Sequence, residues 1–269
     1  MIQVNIFKTL VYILFVFVSM SCSESLEQKS AQFEDYKIIG VDVKNLEQNF
    51  RKWWSYHNNH IMLSDEFIAL NNNSDSISKG EFLDSLVTGN YIPVKLASVD
   101  SIELYGLYKL SKAADASIKK TIINSANTTI HYYRMEGIRF PEFHFIDLDG
   151  NEFTNESIKN KDVLVKCWFI GCTACVKEFP ELNKMVSHYK EREDMEFISL
   201  AYDSSDDLRK FLKKKKFDYS VVPVERSFID ETLNIHSFPT HFIINKKGII
   251  KKVINSYEEL EVAMKRQGI

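Results

Sequence analysis

The most constraining feature of this sequence is a pair of cysteines placed where a strand-like run gives way to a helical pattern. Residues 163–170 are almost continuously apolar, with Lys166 as the interruption, which is typical of a strand buried on both faces. Cys172 and Cys175 follow at the start of the helical pattern. A thiol in the first helical turn faces unpaired backbone N–H groups and the positive end of the helix dipole, and both favour the thiolate. The spacing therefore predicts an attacking thiolate with a resolving partner one turn away, as thiol–disulfide exchange requires.

From Gly137 onward the sequence alternates between strand and helical patterns, which is typical of an α/β domain. A hairpin is predicted about the turn dipeptide Asp149-Gly150. The other strands are predicted at 163–170, 195–202, 219–224, 240–245 and 249–254, and the helices after Cys172 and at 204–215, 228–233 and 257–265. Pro180 falls inside the first of these helices, and we expect it to bend that helix.

The sequence before Gly137 predicts a separate, smaller domain. Ser78 and Glu81 form a capping-box pair ahead of apolar residues at helical spacing. A longer helix is predicted at 115–136 because its apolar residues recur at intervals near 3.6. We therefore predict an N-terminal α+β domain over 37–136 and an α/β domain over 137–269.

Composition removes several classes of function. The formal net charge of -3 over 269 residues gives no support for a nucleic-acid partner. Four cysteines are too few for a disulfide-stapled small domain, and no second cysteine pair exists to complete a zinc site. We accordingly expect neither a bound metal nor a cofactor.

The N-terminus has the pattern of an export signal. Lys8 precedes an apolar run of about ten residues, which is too short to span a bilayer. Small residues then lead to Cys22 and a polar stretch, so the segment resembles a bacterial lipoprotein signal in which this cysteine is acylated. The resemblance implies a signal peptide over 1–21, a polar tether over 22–36 and a lipid-anchored, periplasm-facing protein of the cell envelope. Ser19 stands where such signals usually carry Leu, so ordinary secretory cleavage and an uncleaved anchor stay open.

A second motif lies about 65 residues after the cysteine pair. Pro239 interrupts a strand-like run there, and because proline cannot donate to a strand ladder, it indicates an edge, a bulge or a cis bond. With Trp168, the two cysteines, Glu178 and Pro180, this motif makes residues 137–268 resemble the thioredoxin superfamily. The similarity is to the exported TlpA/ResA group of thiol–disulfide oxidoreductases. It implies a mixed sheet flanked by helices and preceded by a hairpin.

The resemblance also implies roles for individual residues. Cys172 would be the exposed nucleophile and Cys175 the buried thiol that resolves the mixed disulfide. Pro239 would be a cis-proline facing them, and Phe238, Pro239 and Thr240 would bind an extended substrate segment as an added strand. Glu178 resembles the buried acid that tunes thiol ionisation or relays a proton, although a glutamate early in a helix also complements the helix dipole.

The resemblance further implies a protein disulfide reductase. Its partners would be disulfide-bearing envelope proteins, in processes that include cytochrome c maturation. A thiol electron donor in the membrane would reset the cysteine pair. Oxidants and reductants of this kind differ in potential and not in fold, so the direction of the reaction stays open.

Three positions depart from the pattern of the group. Gly171 stands where Trp is frequent, which leaves the dithiol less shielded, and Thr173-Ala174 replaces a dipeptide containing proline. Lys166 stands where thioredoxin has a buried acid. If buried, this lysine should pair with Glu178 or lose its proton, because an unpaired buried charge is costly; the alternative is that it extends to solvent.

Other hypotheses use the same residues differently. A thiol peroxidase of the peroxiredoxin type would carry Thr three residues before the cysteine, where this chain has Phe169. A copper chaperone of the Sco type would have three residues between its cysteines. A non-catalytic surface lipoprotein could dock partners through Trp53 and Trp54, which fit a small core equally well. Cys167 is predicted to be an inert core thiol and His236 a loop residue, with contact to substrate or metal as the alternative for His236.

Overall fold

The computed structural model describes Phe33, residues 36–97 and residues 102–269. The predicted signal peptide, Cys22 and nearly all of the predicted tether lie outside these described residues. The described residues belong to one compact unit, in which hydrophobic clusters form on two larger sheets. Within the described ranges, the helices lack the length and apolar character needed to cross a membrane.

The chain before residue 116 folds around a four-stranded sheet. Its strands β1 (Phe67–Leu70), β2 (Ser76–Ile77), β3 (Tyr91–Leu96) and β4 (Glu103–Lys109) lie in the order β2-β1-β4-β3. β1 and β4 are parallel, and the two outer pairs are antiparallel. The predicted capping box forms, because Ser78 and Glu81 bond each other's backbone N–H at the start of α3. The elements are α1 (Val43–Leu46), α2 (Phe50–His60), β1 (Phe67–Leu70), β2 (Ser76–Ile77), α3 (Lys79–Val87), β3 (Tyr91–Leu96) and β4 (Glu103–Lys109).

Helix α4 (Ala116–Met135) confirms the predicted long helix to within one residue at each end. The Asp115 side chain caps its start by accepting from the Ser117 N–H. The apolar side chains of this helix, down to Ile130, pack in the core of the four-stranded sheet. Tyr132 packs in the core of the five-stranded sheet described next. This helix therefore contributes side chains to both parts of the molecule.

The second sheet has five strands in the order β11-β10-β7-β8-β9. β7, β8 and β9 are parallel, while β10 is antiparallel to both neighbours. A separate hairpin, β5 with β6, precedes it as predicted. The elements are β5 (His144–Ile146), β6 (Glu152–Thr154), β7 (Asp162–Trp168), α5 (Thr173–Lys177), α6 (Phe179–His188), β8 (Met195–Ala201), α7 (Ser205–Leu212), β9 (Ser220–Pro223), a π-helix (Phe228–Thr232), β10 (Thr240–Ile244), β11 (Ile250–Ile254) and α8 (Tyr257–Gln267). The mixed α/β fold class is confirmed.

Strand β7 is central because all seven of its residues are buried. Side chains alternate across a strand, so Cys167 packs on one face of the sheet with Val163 and Val165. Trp168 packs on the opposite face in a cluster with Cys172 and Cys175. The strand ends at Trp168, four residues before Cys172.

The expected bend at Pro180 takes a different form. α5 ends at Lys177 and α6 begins at Phe179, so Pro180 lies in the first turn of a second helix and not inside one helix. A proline is tolerated in a first turn because the N–H it lacks would have no intrahelical partner there. Glu178 occupies the junction between the two helices.

Lys252 of β11 joins the two parts of the molecule. The residue is only 5% exposed, and its Nζ donates to the Ser64 carbonyl oxygen at 3.2 Å, to Glu66 at 2.8 Å and to Glu136 at 3.1 Å. A buried ammonium needs such partners to offset its lost hydration. The four-stranded and five-stranded parts are therefore connected by a polar contact as well as by α4.

Candidate active site

The two cysteines of the motif form a disulfide at the start of α5. Cys172 is the N-cap residue, and its Sγ accepts a hydrogen bond from the Cys175 N–H at 3.2 Å. Cys172 is 8% exposed and Cys175 is fully buried. Both cysteines are therefore buried, although Cys172, predicted to be exposed, keeps a small accessible fraction and Cys175 keeps none.

The motif around Pro239 packs near this disulfide in space. The Phe238–Pro239 peptide bond is cis, as the sequence led us to expect. The half-buried Phe238 ring packs in the same cluster as both cysteines. Thr240 opens β10 opposite Cys167, and its Oγ1 bonds the Ser237 carbonyl oxygen and the Tyr132 hydroxyl.

Lys166 and Glu178 form an ion pair inside the protein, with side chains that are 0% and 12% exposed. The hypothesis of a buried Lys–Glu pair is confirmed, and the alternative of a solvent-reaching lysine is wrong. The Glu178 carboxylate also lies 3.0 Å from His241 Nε2 and accepts from the Tyr257 N–H at 2.9 Å. A carboxylate only accepts, so we assign the hydrogen to His241 Nε2; the same nitrogen lies 3.4 Å from Lys166 Nζ, which donates to the carboxylate instead.

The surroundings of this pair fix its charges. Burial raises the pKa of the Glu178 carboxyl, but the hydrogen bond from His241 and the Lys166 charge outweigh it, so this pKa lies below its ordinary value. Burial lowers the pKa of Lys166, and the Glu178 charge opposes that change. Burial, together with the Lys166 charge, lowers the pKa of His241 to about 4. At neutral pH the imidazole is thus neutral, and the Glu178 carboxylate and the Lys166 ammonium each favour the charged form of the other.

His241 is the member of this cluster that sequence reasoning missed. It lies directly across from Lys166 in the pairing of β10 with β7, and Ser199 lies across from Lys166 on the other side in β8. The sequence predicted the strand that contains His241. Its register against β7 would have shown that a polar residue lies beside Lys166. The register could not be read from either strand alone.

Aromatic rings pack near the disulfide. Phe169 stacks on Tyr202 at 5.1 Å between centroids and meets Phe238 edge to face at 5.4 Å. The Phe169 ring also lies against Gly171, where an added Cβ would be 3.2 Å from it. In this protein the Phe169 ring therefore lies beside residue 171, the position at which related proteins frequently have Trp.

The remaining predicted residues lie apart from the disulfide chemistry. Cys167 is a buried free thiol, and burial raises its pKa to about 12, which confirms the core assignment. His236 is exposed and contacts Asn234 Oδ1 at 2.8 Å. In the described ranges, no group of three or more His, Cys, Asp or Glu side chains is arranged to hold a metal ion. Cys22 lies outside the described residues.

Comparisons with known proteins agree with this site. Residues 137–253 match the model of the AhpC/TSA family, which is thioredoxin-like. The thiol–disulfide oxidoreductase ResA of a Bacillus cereus strain is 30% identical over 129 residues, which are 46% of this chain and 74% of that protein. ResA of Bacillus subtilis strain 168 is 28% identical over 121 residues, which are 44% of this chain and 66% of that protein.

Solved structures give similar matches. The thioredoxin domain of a thiol–disulfide oxidoreductase from Bacteroides vulgatus is 26% identical, with a TM-score of 0.45 over 49% of this chain and 96% of that one. A thiol:disulfide interchange protein from Bacteroides sp. is 27% identical, with a TM-score of 0.43 over 48% of this chain and 88% of that one. With its cysteine pair and its ResA relatives, this chain belongs to the thioredoxin-like family of thiol–disulfide oxidoreductases that includes ResA.

Proposed function

We propose that the protein reduces protein disulfides by dithiol exchange. The Cys172 thiolate attacks one sulfur of the substrate disulfide, and the other substrate sulfur leaves as a thiolate that takes up a proton. Cys175, as its thiolate, then attacks Cys172, and the second substrate sulfur leaves. The internal disulfide forms, and two electrons have passed to the substrate.

One observation carries this assignment of roles. Cys172 Sγ is the N-cap group of α5, and Cys172 keeps 8% of its surface accessible, whereas Cys175 keeps none. The helix N-terminus favours the thiolate at Cys172, and a sulfur with some accessible surface meets a protein disulfide more readily than a fully buried one. The buried sulfur can then react only with the neighbour that is already attached to the substrate.

We assign the other predicted site residues to supporting roles. Phe238, Pro239 and Thr240 bind an extended segment of the substrate beside the dithiol. Glu178, three residues after Cys175, acts through its charge on the ionisation of the buried thiol. Residues three apart on a helix are near neighbours, which supports this coupling.

We further propose where the enzyme works and how it is built. The export-type N-terminus supports a lipoprotein with a signal peptide over 1–21, acylation at Cys22 and a tether to residue 36. The thioredoxin-like domain (137–269) and the N-terminal α+β domain (37–136) would then face the periplasm. The clients would be envelope proteins, with cytochrome c maturation as one process, and a membrane thiol donor would reduce the internal disulfide.

A trapping experiment tests the central step. In Cys175→Ala the mixed disulfide cannot be resolved, so we expect a stable adduct between Cys172 and a disulfide-bearing envelope protein. Cys172→Ala is the matched variant and should form no adduct, while Cys167→Ala should reduce insulin disulfides at the wild-type rate. Adducts that form equally through Cys175, or a wild-type protein that reduces no disulfide, would refute the proposal.

A further inference from the structure

The N-terminal part of the chain lines a groove that reaches the loop before the cis-proline. A cavity of about 380 Å³ lies between α2, α4 and β11, and a second cavity of about 250 Å³ adjoins it. Both are lined by Thr128, Tyr132 and Ser237. We call this continuous depression the α4 groove and define it by Trp54, His57, Ser125, Thr128, Tyr132 and Ser237.

The groove reaches the loop that precedes the cis-proline. Ser237 directly precedes Phe238, whose ring lies 5.4 Å from the Phe169 ring and packs in the cluster that contains both cysteines. Tyr132 approaches the same loop from α4, because its hydroxyl lies 2.9 Å from Thr240 Oγ1. A chain segment whose disulfide meets Cys172 could therefore continue along α4.

The lining of the groove suits a polypeptide backbone. The hydroxyls of Ser125 and Thr128 donate back to carbonyl oxygens of their own helix, which leaves their lone pairs as acceptors. His57 Nδ1 is buried, and it finds no hydrogen-bond partner among the described residues. Burial lowers the pKa of His57 to about 4, so the imidazole is neutral at pH 7. Trp54, 43% exposed, supplies an aromatic face at the far end.

We propose that the α4 groove binds the extended polypeptide segment that flanks the client's disulfide, so that the N-terminal part of the chain extends the substrate site. Between Ser125 and Tyr132 the helix advances by about 10 Å, which matches roughly three residues of extended chain. The position of Ser237 in both cavities, next to Phe238 in the cluster of the two cysteines, favours this occupant over an unrelated small molecule. The proposal rests on the proposed function, because it concerns the substrate of the same reaction.

The test compares two kinds of substrate in the full chain. Thr128→Arg places a long side chain in the groove, and Asn124→Arg places the same side chain on an exposed position of α4 that lines neither cavity. We expect Thr128→Arg to raise the KM for a disulfide-bearing polypeptide about tenfold, equivalent to about 1.4 kcal/mol of lost binding. Reduction of a small disulfide, 5,5′-dithiobis(2-nitrobenzoate), should stay at the wild-type rate in both variants, and Asn124→Arg should leave both substrates unchanged.

Trp54→Ala gives a second measurement at the opposite end of the groove. It should also raise the KM for the polypeptide without affecting the small disulfide. An unchanged polypeptide KM in both groove variants overturns the proposal. A polypeptide KM that falls when residues 1–32 are deleted also overturns it, because the chain's own N-terminal segment would then occupy the groove. Failure of the wild-type protein to reduce even the small disulfide would instead refute the proposed function.

Discussion

Lys166 donates a hydrogen bond to the carboxylate of Glu178 in the interior of the protein, from the strand that leads to Cys172. The partners on the carboxylate are distributed over three elements: Lys166 in β7, His241 in β10 and the backbone N–H of Tyr257 at the start of α8. The carboxylate therefore has a donor on each of its oxygens and is held in one orientation.

Removing one partner of this pair should destabilise the fold. In Lys166→Met the carboxylate loses its counter-ion while it stays buried, so we expect the free energy of unfolding to fall by about 3 kcal/mol at pH 7. Urea denaturation followed by circular dichroism measures this change. In Lys166→Met/Glu178→Gln no charge remains unpaired, so the double variant should regain most of the loss. Additive losses would show that the two side chains are not coupled.

The same pair should shift the ionisation of Cys175 in opposite directions. Glu178→Gln removes a negative charge near the buried thiol and should lower the pKa of Cys175 by roughly one unit, whereas Lys166→Met should raise it by a similar amount. Thiolate absorbance near 240 nm, followed against pH in the reduced Cys172→Ala background, measures this pKa. A shift of the same sign in both variants would contradict an electrostatic origin.

His241 should make the stability depend on pH. Its pKa of about 4 in the folded protein lies below the ordinary value of 6.5, so between these pH values the unfolded chain binds a proton that the folded protein does not. The contribution of His241 to the free energy of unfolding is fully present above pH 6.5. It is lost as the pH falls from 6.5 towards 4, at up to about 1.4 kcal/mol per pH unit. Urea denaturation at pH 4.5 to 7.5 should show a shallower slope in His241→Gln, which keeps an N–H donor for Glu178. His57 shifts in the same direction, so His57→Gln/His241→Gln should flatten the slope further.

The ring of Phe169 should limit what residue 171 can be. A Cβ at Gly171 would lie 3.2 Å from this ring, so in Gly171→Trp the ring must shift by a few tenths of an ångström. We expect a loss of about 1 to 3 kcal/mol in the free energy of unfolding, because the Phe169 ring must shift against the rings it packs on. Phe169→Ala/Gly171→Trp should lose less than the sum of the two single variants. Full additivity would mean that the two side chains do not compete for one place.

Cys167 should resist alkylation in the reduced native protein. With a pKa of about 12, roughly one thiol in 10⁴ is ionised at pH 8, and the side chain is fully buried. Iodoacetamide should modify Cys172 and leave Cys167 intact, as peptide mass mapping would show. The same protein unfolded in urea is the control, in which Cys167 should react. Equal rates of modification in the folded protein would contradict the core assignment.

The order of elements around the dithiol could be predicted because each has a strong local signal. β7 is a continuous apolar run, Asp149-Gly150 turns a hairpin, and the spacing of apolar residues in α4 is helical. The pairing of Lys166 with Glu178 could also be predicted, since a lysine in a buried strand needs an anionic partner if it is to keep its charge. These predictions depend on neighbours in the sequence or on the cost of a buried charge.

The features that were not predicted depend on long-range packing. His241 reaches Lys166 through strand register, which single strands do not reveal. Trp53 and Trp54 are adjacent in α2, yet the first is fully buried and the second is 43% exposed, because the helix turns only one face to the core. The parallel pairing of β1 with β4 joins segments that are distant in the sequence, and neither strand carries a signal for its partner.

Helix α4 has a practical consequence for anyone who wishes to study the thioredoxin-like half in isolation. A fragment that begins at residue 137 would lack the phenol of Tyr132, which fills part of the second core and bonds Thr240. It would also lack Glu136 and Glu66, two of the acceptors around Lys252. A fragment for expression should therefore begin before Ala116, so that it contains all of α4 together with the five-stranded sheet.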